Sequence, residues 1–100
     1  MKRFGQLQGR AAQAFAQAGG QALHVWVPKK CMRRWQTVPT VFKRAPVWAH
    51  LFDQDRNRLV ATATHLGVRV VLVHHAGMEN QHVDLCGKPL ELASMEATEV

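Results

Sequence analysis

The apolar run "VRVVLV" at 68–73 constrains the fold of this chain more than any other feature. A run of this length with almost only apolar side chains is typical of a strand that is covered on both faces of a sheet. A helix is predicted directly before it, because Asp53 or Asp55 can cap the start and Gly67 can supply a left-handed stop. The sequence therefore predicts a helix followed by a buried strand, as in α/β folds.

Two further strands and a last helix are predicted elsewhere in the chain. The stretch "ALHVWV" at 22–27 is short, β-branched and aromatic, and a proline ends it, which predicts a strand. We expect this strand and 68–73 to be parallel and joined by a right-handed crossover. The stretch "HVDLC" at 82–86 is a third strand candidate, and "KPLELASMEA" at 88–97 predicts a last helix with a proline in its first turn.

The length of 100 residues predicts one domain, residues 1–100, because so short a chain has no residues to spare for a second core. The predicted class is α/β, with a short, mainly parallel sheet, flanking helices and an N-terminal helix. Residues 1–20 are interpreted as a helical extension, with the helix at 3–18, which can dock on a partner or form a homo-oligomer. Residues 28–46 are interpreted as a long basic loop with about one turn of helix at 31–35.

The charges are unevenly distributed along the chain, which has a formal net charge of +6. Residues 1–50 contain nine Lys and Arg and no Asp or Glu, whereas residues 51–100 contain all seven acidic residues. This asymmetry indicates a nucleic acid or an acidic protein surface as partner. No apolar run is long enough to span a membrane. Cys31 and Cys86 lack a CxxC spacing, so we expect reduced thiols and a cytoplasmic location.

The basic loop combines cations with aromatic side chains within sixteen residues. Cations can neutralise phosphates and aromatic rings can stack on bases, so this mixture predicts nucleic-acid binding. An acidic protein partner is an alternative, and so is a solvated loop whose tryptophan enters the core. The candidate nucleic-acid-binding residues are Lys29, Lys30, Arg33, Arg34, Trp35, Phe42, Lys43 and Arg44.

Histidines and one aspartate form a second set of candidates: His50, His74, His75, His82 and Asp84. His82, Asp84 and Cys86 alternate, so an extended backbone turns all three to one face. Two imidazoles and a carboxylate can hold a divalent metal ion or act as acid, base and orienting group. Histidines at a strand edge also commonly satisfy backbone groups, and the spacing here is not diagnostic. No metal or other cofactor is predicted.

Several short motifs occur one after another between residues 47 and 97. Trp48-Ala49-His50-Leu51 gives a hydrophobic-His-hydrophobic opening, and an acid-capped helix ends in Leu66-Gly67-Val68. The letters "HVDL" stand where a His-aromatic-Asp-Leu motif is expected, and Lys88 and an alanine-containing helix follow. Through these motifs, residues 47–97 resemble a small family of phage and bacterial proteins that is catalogued as domain of unknown function four-zero-three-one.

The resemblance implies candidate positions but no reaction. It nominates His50, His82 and Asp84, which we take as the candidate catalytic residues. Members of the family usually begin with a strand followed by acidic residues, whereas here the first predicted strand runs into Pro28-Lys29-Lys30. Lysines in place of acids favour a binding role over a metal-dependent one.

The hypothesis from the sequence is a phage- or bacterium-associated accessory protein that binds nucleic acid or a nucleoprotein complex through its basic loop. A second hypothesis is a small hydrolase-like enzyme in which one imidazole of the candidate catalytic residues acts as general base. A third is an inhibitor whose basic half blocks a nucleic-acid-processing complex of the host.

Overall fold

Strands and helices alternate along the chain in a computed structural model that describes residues 1–99. The strands are β1 (Lys2–Phe4), β2 (Gln21–Trp26), β3 (Trp48–Asp53), β4 (His82–Cys86) and β5 (Thr98–Glu99). The helices are α1 (Gly9–Gln17), α2 (Lys30–Arg33), α3 (Thr40–Arg44), α4 (Arg56–His65) and α5 (Gly87–Glu96), and a short 3-10 helix spans Gln6–Gln8.

The five strands form one mixed sheet in the order β4-β3-β2-β1-β5. Strand β1 pairs in parallel with β2 and with β5, whereas β2 with β3 and β3 with β4 are antiparallel. This confirms the prediction of a small single α/β domain. The parallel crossover is formed by β1, α1 and β2.

The N-terminus differs from the predicted helix at 3–18. Residues 2–4 are a strand, and the α-helix begins only at Gly9. Lys2 is paired with Ala22 on one side and with Thr98 on the other. A strand of only three residues that is held by such distant partners shows no period-two pattern in its own sequence. The N-terminal segment is part of the sheet, and its helix supplies the buried side chains Ala12 and Ala16 to a core cluster.

The apolar run at 68–73 is not a strand, so the predicted parallel pairing with 22–27 is wrong. Val70 and Leu72 are 73% and 60% exposed, while Val68, Val71 and Val73 pack partly against the core. Both edges of β2, the predicted partner, are already occupied, by β1 and β3. The only pairing near this run, within residues 1–99, is an isolated bridge between His74 and His82.

The locally encoded elements agree with the sequence predictions. Asp55 caps α4, because its Oδ1 accepts a hydrogen bond from the backbone N–H of Arg58 at 3.0 Å. Gly67 follows the helix with a φ of 92°, a left-handed conformation that glycine adopts without a steric penalty. The predicted β4 and α5 are also confirmed.

The two faces of the sheet are packed differently. One face is apolar and is covered by α4 and α5, with a core that includes Leu23, Leu51, Leu59, Val83, Leu85 and Leu90. The opposite face carries two separate clusters. Helix α1 covers Phe4, Ala22 and Phe52 at one end. Ala45, Trp48 and Cys86 form the other cluster, together with side chains of the segment that contains α2 and α3.

Two further features are the state of the cysteines and the character of the helices. Cys31 is exposed and Cys86 is buried, and both are free thiols. Within residues 1–99, no helix has the length and apolar character needed to cross a bilayer.

Candidate functional site

A strip of polar side chains crosses the sheet between the two clusters of the second face. His24 comes from β2, His50 from β3, and His82 and Asp84 from β4. The strand register places His24 opposite His50, and His50 opposite Asp84. Side chains two residues apart on a strand share a face, so His82 lies on the same side as Asp84. Antiparallel pairing therefore collects residues that are far apart in the sequence.

The candidate catalytic residues His50, His82 and Asp84 converge, and we call them the His–Asp cluster. Nε2 of His82 lies 3.2 Å from Oδ1 of Asp84, and Nε2 of His50 lies 3.6 Å from the same oxygen. The ring centroids of the two histidines are 4.6 Å apart. One potential ligand atom from each residue lies within 4.8 Å of the other two. The distance between His82 and Asp84 is within reach of proton transfer, and the three ligand atoms are close enough to share an ion.

His74 joins the His–Asp cluster from a segment that is not a strand. Its backbone exchanges hydrogen bonds of 2.8 and 3.1 Å with His82, and its ring stacks on the His82 ring with centroids 5.3 Å apart. Nε2 of His74 lies 3.3 Å from Oδ2 of Asp84. His75, with a φ of 53°, places its ring centroid 5.7 Å from that of His82. Both histidines therefore lie near the candidate site, and the backbone bridge between His74 and His82 holds their segment there.

The pKa values of the two histidines in the His–Asp cluster are shifted in opposite directions. Burial lowers the pKa of His50 to about 4, and the neighbouring His82 adds to this effect. Burial alone would lower the pKa of His82, but the Asp84 carboxylate and the Asn80 carbonyl raise it above its ordinary value. Burial would raise the pKa of Asp84, but the imidazoles of His82 and His50 hold it below its usual range. A proton therefore resides on His82 in preference to His50.

We expect these two histidines to titrate in separate pH ranges in protein treated with EDTA. Because the pKa of His50 falls from 6.5 to about 4 on folding, the unfolded chain binds more protons between these values. Through His50, the free energy of unfolding therefore decreases as the pH falls from 6.5 towards 4. His82 acts oppositely, since its raised pKa stabilises the fold below pH 6.5 and this stabilisation is lost as the pH rises through the folded value.

Ring ¹⁵N chemical shifts measured by NMR as a function of pH test this expectation. His50 should remain neutral at pH 6 while His82 is already taking up a proton. The assignment of charges is wrong if His50 is the more protonated of the two at that pH.

The His–Asp cluster opens onto a cleft with aromatic walls. The cleft has a volume of about 530 Å³. His50, His74 and Asp84 contribute to its lining, so the polar groups are accessible from this space. The aromatic lining residues are Trp26, Trp35, Phe42 and Trp48. The site combines flat apolar surfaces with imidazole and carboxylate groups.

Residues 28–46, which we call the basic segment, are more ordered than the predicted long loop. They contain α2 and α3, and Arg33 links the two. Its guanidinium donates hydrogen bonds to the carbonyls of Lys43 (3.2 Å), Pro46 (3.0 Å) and Ala45. The indole N–H of Trp48 donates to the Phe42 carbonyl at 2.7 Å and anchors α3 to the sheet. The basic segment is thus held as one unit against the end of the sheet.

The predicted nucleic-acid-binding residues divide into two groups. Arg33 and Phe42 support the fold, because the guanidinium lies 5.8 Å above the Trp48 ring and the Phe42 ring contacts the same indole edge-on at 5.9 Å. Trp35 is 54% exposed. The remaining cations have no acidic partner among the ion pairs of residues 1–99: Lys29, Lys30, Arg34 and Arg44, which are exposed, and Lys43, which is half-buried.

Some residues of the site were not singled out from the sequence. Trp26 and Trp48 line the cleft, and each stands two positions from a histidine of the polar strip, a period of two that could have placed them on the same face.

Cys86 lies on that face as well, but it is buried. Burial, together with the charge of Asp84, raises the pKa of the Cys86 thiol, which makes it a poor nucleophile.

Comparison of the chain with models of protein families, with curated proteins and with solved structures found no match. The interpretation of the site consequently depends on its own geometry and chemistry.

Proposed function

We propose that this protein binds single-stranded nucleic acid through the basic segment. The observation that supports this proposal best is that the basic segment carries exposed cations without acidic partners together with the exposed ring of Trp35. Ammonium and guanidinium groups neutralise phosphates and release counterions, and an exposed indole stacks on an unpaired base. The contact residues in this proposal are Lys29, Lys30, Arg34, Trp35, Lys43 and Arg44.

Proximity of the two short helices supports a common binding surface. Because Arg33 bonds to carbonyls at the end of α3, the cations of α2 lie near those of α3. Other arginines of the protein are used differently. Arg3 pairs with Glu99 at 3.2 Å and Arg58 pairs with Asp53 at 2.7 Å. Five cations without acidic partners thus lie close together in the sequence, within residues 28–46, whereas the exposed cations outside this segment, such as Arg10, Arg56, Arg69 and Lys88, are spread along the chain.

The biological setting is also part of the proposal. The resemblance of residues 47–97 to the phage and bacterial family suggests a phage- or bacterium-associated accessory protein. The placement of the cations suggests nucleic acid or a nucleoprotein complex in the cytoplasm as its partner. The two free thiols are consistent with a reducing compartment. A protein complex of the host as the direct partner is the competing possibility, in which the basic segment acts as an inhibitor.

Fluorescence anisotropy with labelled single- and double-stranded oligonucleotides tests this function. We expect tighter binding to single strands and a steep weakening as the salt concentration rises. Binding that ignores ionic strength, or no binding at low salt, would contradict phosphate contact. A pull-down from lysate with and without nuclease separates the competing possibility, because a direct protein partner survives the digestion.

Replacing Trp35 with alanine should weaken single-strand binding by about 5- to 150-fold, the range expected for loss of one base-stacking contact. Since the indole is more than half exposed, the substitution should leave the unfolding midpoint nearly unchanged. Trp35→Phe is the matched control, which keeps a ring and should retain most of the affinity. Equal affinities of Trp35→Ala and Trp35→Phe would show that stacking on this residue does not contribute.

A second function, hydrolysis at the His–Asp cluster, is favoured by one observation. Three groups that catalyse proton transfer or hold an ion lie within 4.8 Å of one another beside the cleft. The test is cleavage of oligonucleotides, a nitrophenyl phosphodiester and a nitrophenyl ester by the wild type and by Asp84→Asn. Turnover that disappears in the variant supports this function, and turnover that is absent or unaffected by the substitution excludes it for these substrates.

A further inference from the structure

We infer that the His–Asp cluster is a binding site for a divalent transition metal ion such as zinc, held by Nε2 of His50, Nε2 of His82 and the carboxylate of Asp84. This inference concerns a different ligand from the nucleic acid of the proposed function and does not depend on it. Two imidazoles and one carboxylate are a ligand set that zinc and iron(II) accept, with further positions left for water.

The distances within the cluster suit a shared ion. Ligand atoms on one tetrahedral zinc ion are about 3.3 Å apart, which follows from bonds of about 2.0–2.1 Å. Oδ1 of Asp84 lies 3.2 Å from the His82 nitrogen and 3.6 Å from the His50 nitrogen. All three ligand atoms lie within 4.8 Å, so small rotations of the side chains complete the geometry.

Groups that hydrogen-bond to the ligand side chains orient them, as is usual in metal sites. Nδ1–H of His82 donates to the Asn80 carbonyl at 2.8 Å, and this bond directs Nε2 towards Asp84. His74, at 3.3 Å from Oδ2 of Asp84, can donate to the second carboxylate oxygen and hold the carboxylate in place. These contacts fix the tautomer of one ligand and the orientation of another.

Asp84 also has an unsatisfied atom that a cation would pair with. Its Oδ1 is enclosed and accepts no hydrogen bond of good geometry, although two imidazole nitrogens are near. An enclosed carboxylate oxygen without such a bond is costly. A metal ion between this oxygen and the two nitrogens would remove that cost.

In the resemblance to the family, lysines replace acids after the first predicted strand, which favours a binding role over a metal-dependent one. The structure assigns the ligands elsewhere. All three come from β3 and β4, and none comes from the basic segment that follows β2. The lysines therefore do not remove a ligand of this site.

Titration of EDTA-stripped protein with zinc by calorimetry, and with cobalt(II) by visible absorption, tests the inference. We expect one ion per chain and cobalt bands typical of nitrogen and oxygen ligands. Asp84→Asn and His50→Gln should each lower zinc affinity by about 100-fold or more. The matched control is the double variant His65→Gln, Glu96→Gln, which removes an exposed imidazole–carboxylate pair at 2.7 Å outside the cluster and should bind zinc normally.

A measurement on the wild type keeps the inference testable if a variant fails to fold. Zinc should shift the NMR ring signals of His50 and His82 while leaving those of His65 in place. Absence of zinc binding at stoichiometric concentration, equal loss in the control, or zinc-induced shifts confined to His65 would each overturn the metal site.

Discussion

Replacing Arg58 with alanine is expected to destabilise the fold by about 3 kcal/mol, because it leaves a buried carboxylate without its cation. The side chain of Asp53 is fully buried. Arg58 holds it with two hydrogen bonds of 2.7 Å, from Nε to Oδ2 and from Nη2 to Oδ1. Nη2 also donates to the carbonyls of Gly19 and Gly20, so the same guanidinium fixes the turn before β2.

The expected loss is at the lower end of the range for broken buried pairs, about 3–5 kcal/mol, because Arg58 is 44% exposed and water can reach part of the vacated space. Arg56→Ala is the matched control, since this exposed arginine of the same helix forms no ion pair within residues 1–99. We expect it to change stability by less than about 0.5 kcal/mol. Urea unfolding followed by circular dichroism measures both, and equal midpoints would contradict the assigned role of Arg58.

Elements that are specified by adjacent residues could be predicted from the sequence. Helix α4 has its capping carboxylate at Asp55 and its left-handed stop at Gly67. Both signals act within one helical turn of the ends they define, so no tertiary information is needed. The same holds for α5 and for the strand "HVDLC", whose boundaries were close to those found.

The sheet order could not be predicted, because it depends on distant pairing. Strand β1 has three residues and is stabilised by β2 on one side and β5 on the other. The run at 68–73 has the composition of a buried strand, but both edges of β2, its predicted partner, are occupied by β1 and β3. Composition indicates how well a segment fits a sheet, and the availability of a partner decides whether it joins one.

The candidate site was predictable in part. The alternation of His82 and Asp84 correctly indicated a shared face, since this follows from the period of a strand. His50 was among the histidines singled out from the sequence, and the antiparallel register brings it opposite Asp84. The position of His74 depends on an isolated backbone bridge, for which the sequence carries no local signal.

The basic segment and the His–Asp cluster border the same cleft, which relates the two proposals. Trp35 of the basic segment and His50 and Asp84 of the cluster all line it. A strand of nucleic acid bound along the segment could therefore place a base or phosphate near the cluster. Zinc binding and oligonucleotide binding can be measured separately, so either proposal can fail without the other.

The largest functional effect is expected from removing the four exposed cations of the basic segment, in the variant Lys29→Gln, Lys30→Gln, Arg34→Gln, Arg44→Gln. We expect the affinity for a single-stranded oligonucleotide at low salt to fall by about 100-fold or more, because several phosphate contacts are lost together. The matched control replaces four exposed cations elsewhere on the chain: Arg10, Arg56, Arg69 and Lys88. Each variant loses four positive charges from a formal net charge of +6.

The dependence of log Kd on log salt concentration, measured for the wild type and these two variants, tests the central claim most directly. Each phosphate contact to a single strand contributes about 0.7 to the slope, so loss of four contacts should make the slope shallower by about 3. We predict this change for the basic-segment variant and a wild-type slope for the control. Equal slopes for the two variants would show that overall charge, and not the basic segment, attracts the nucleic acid.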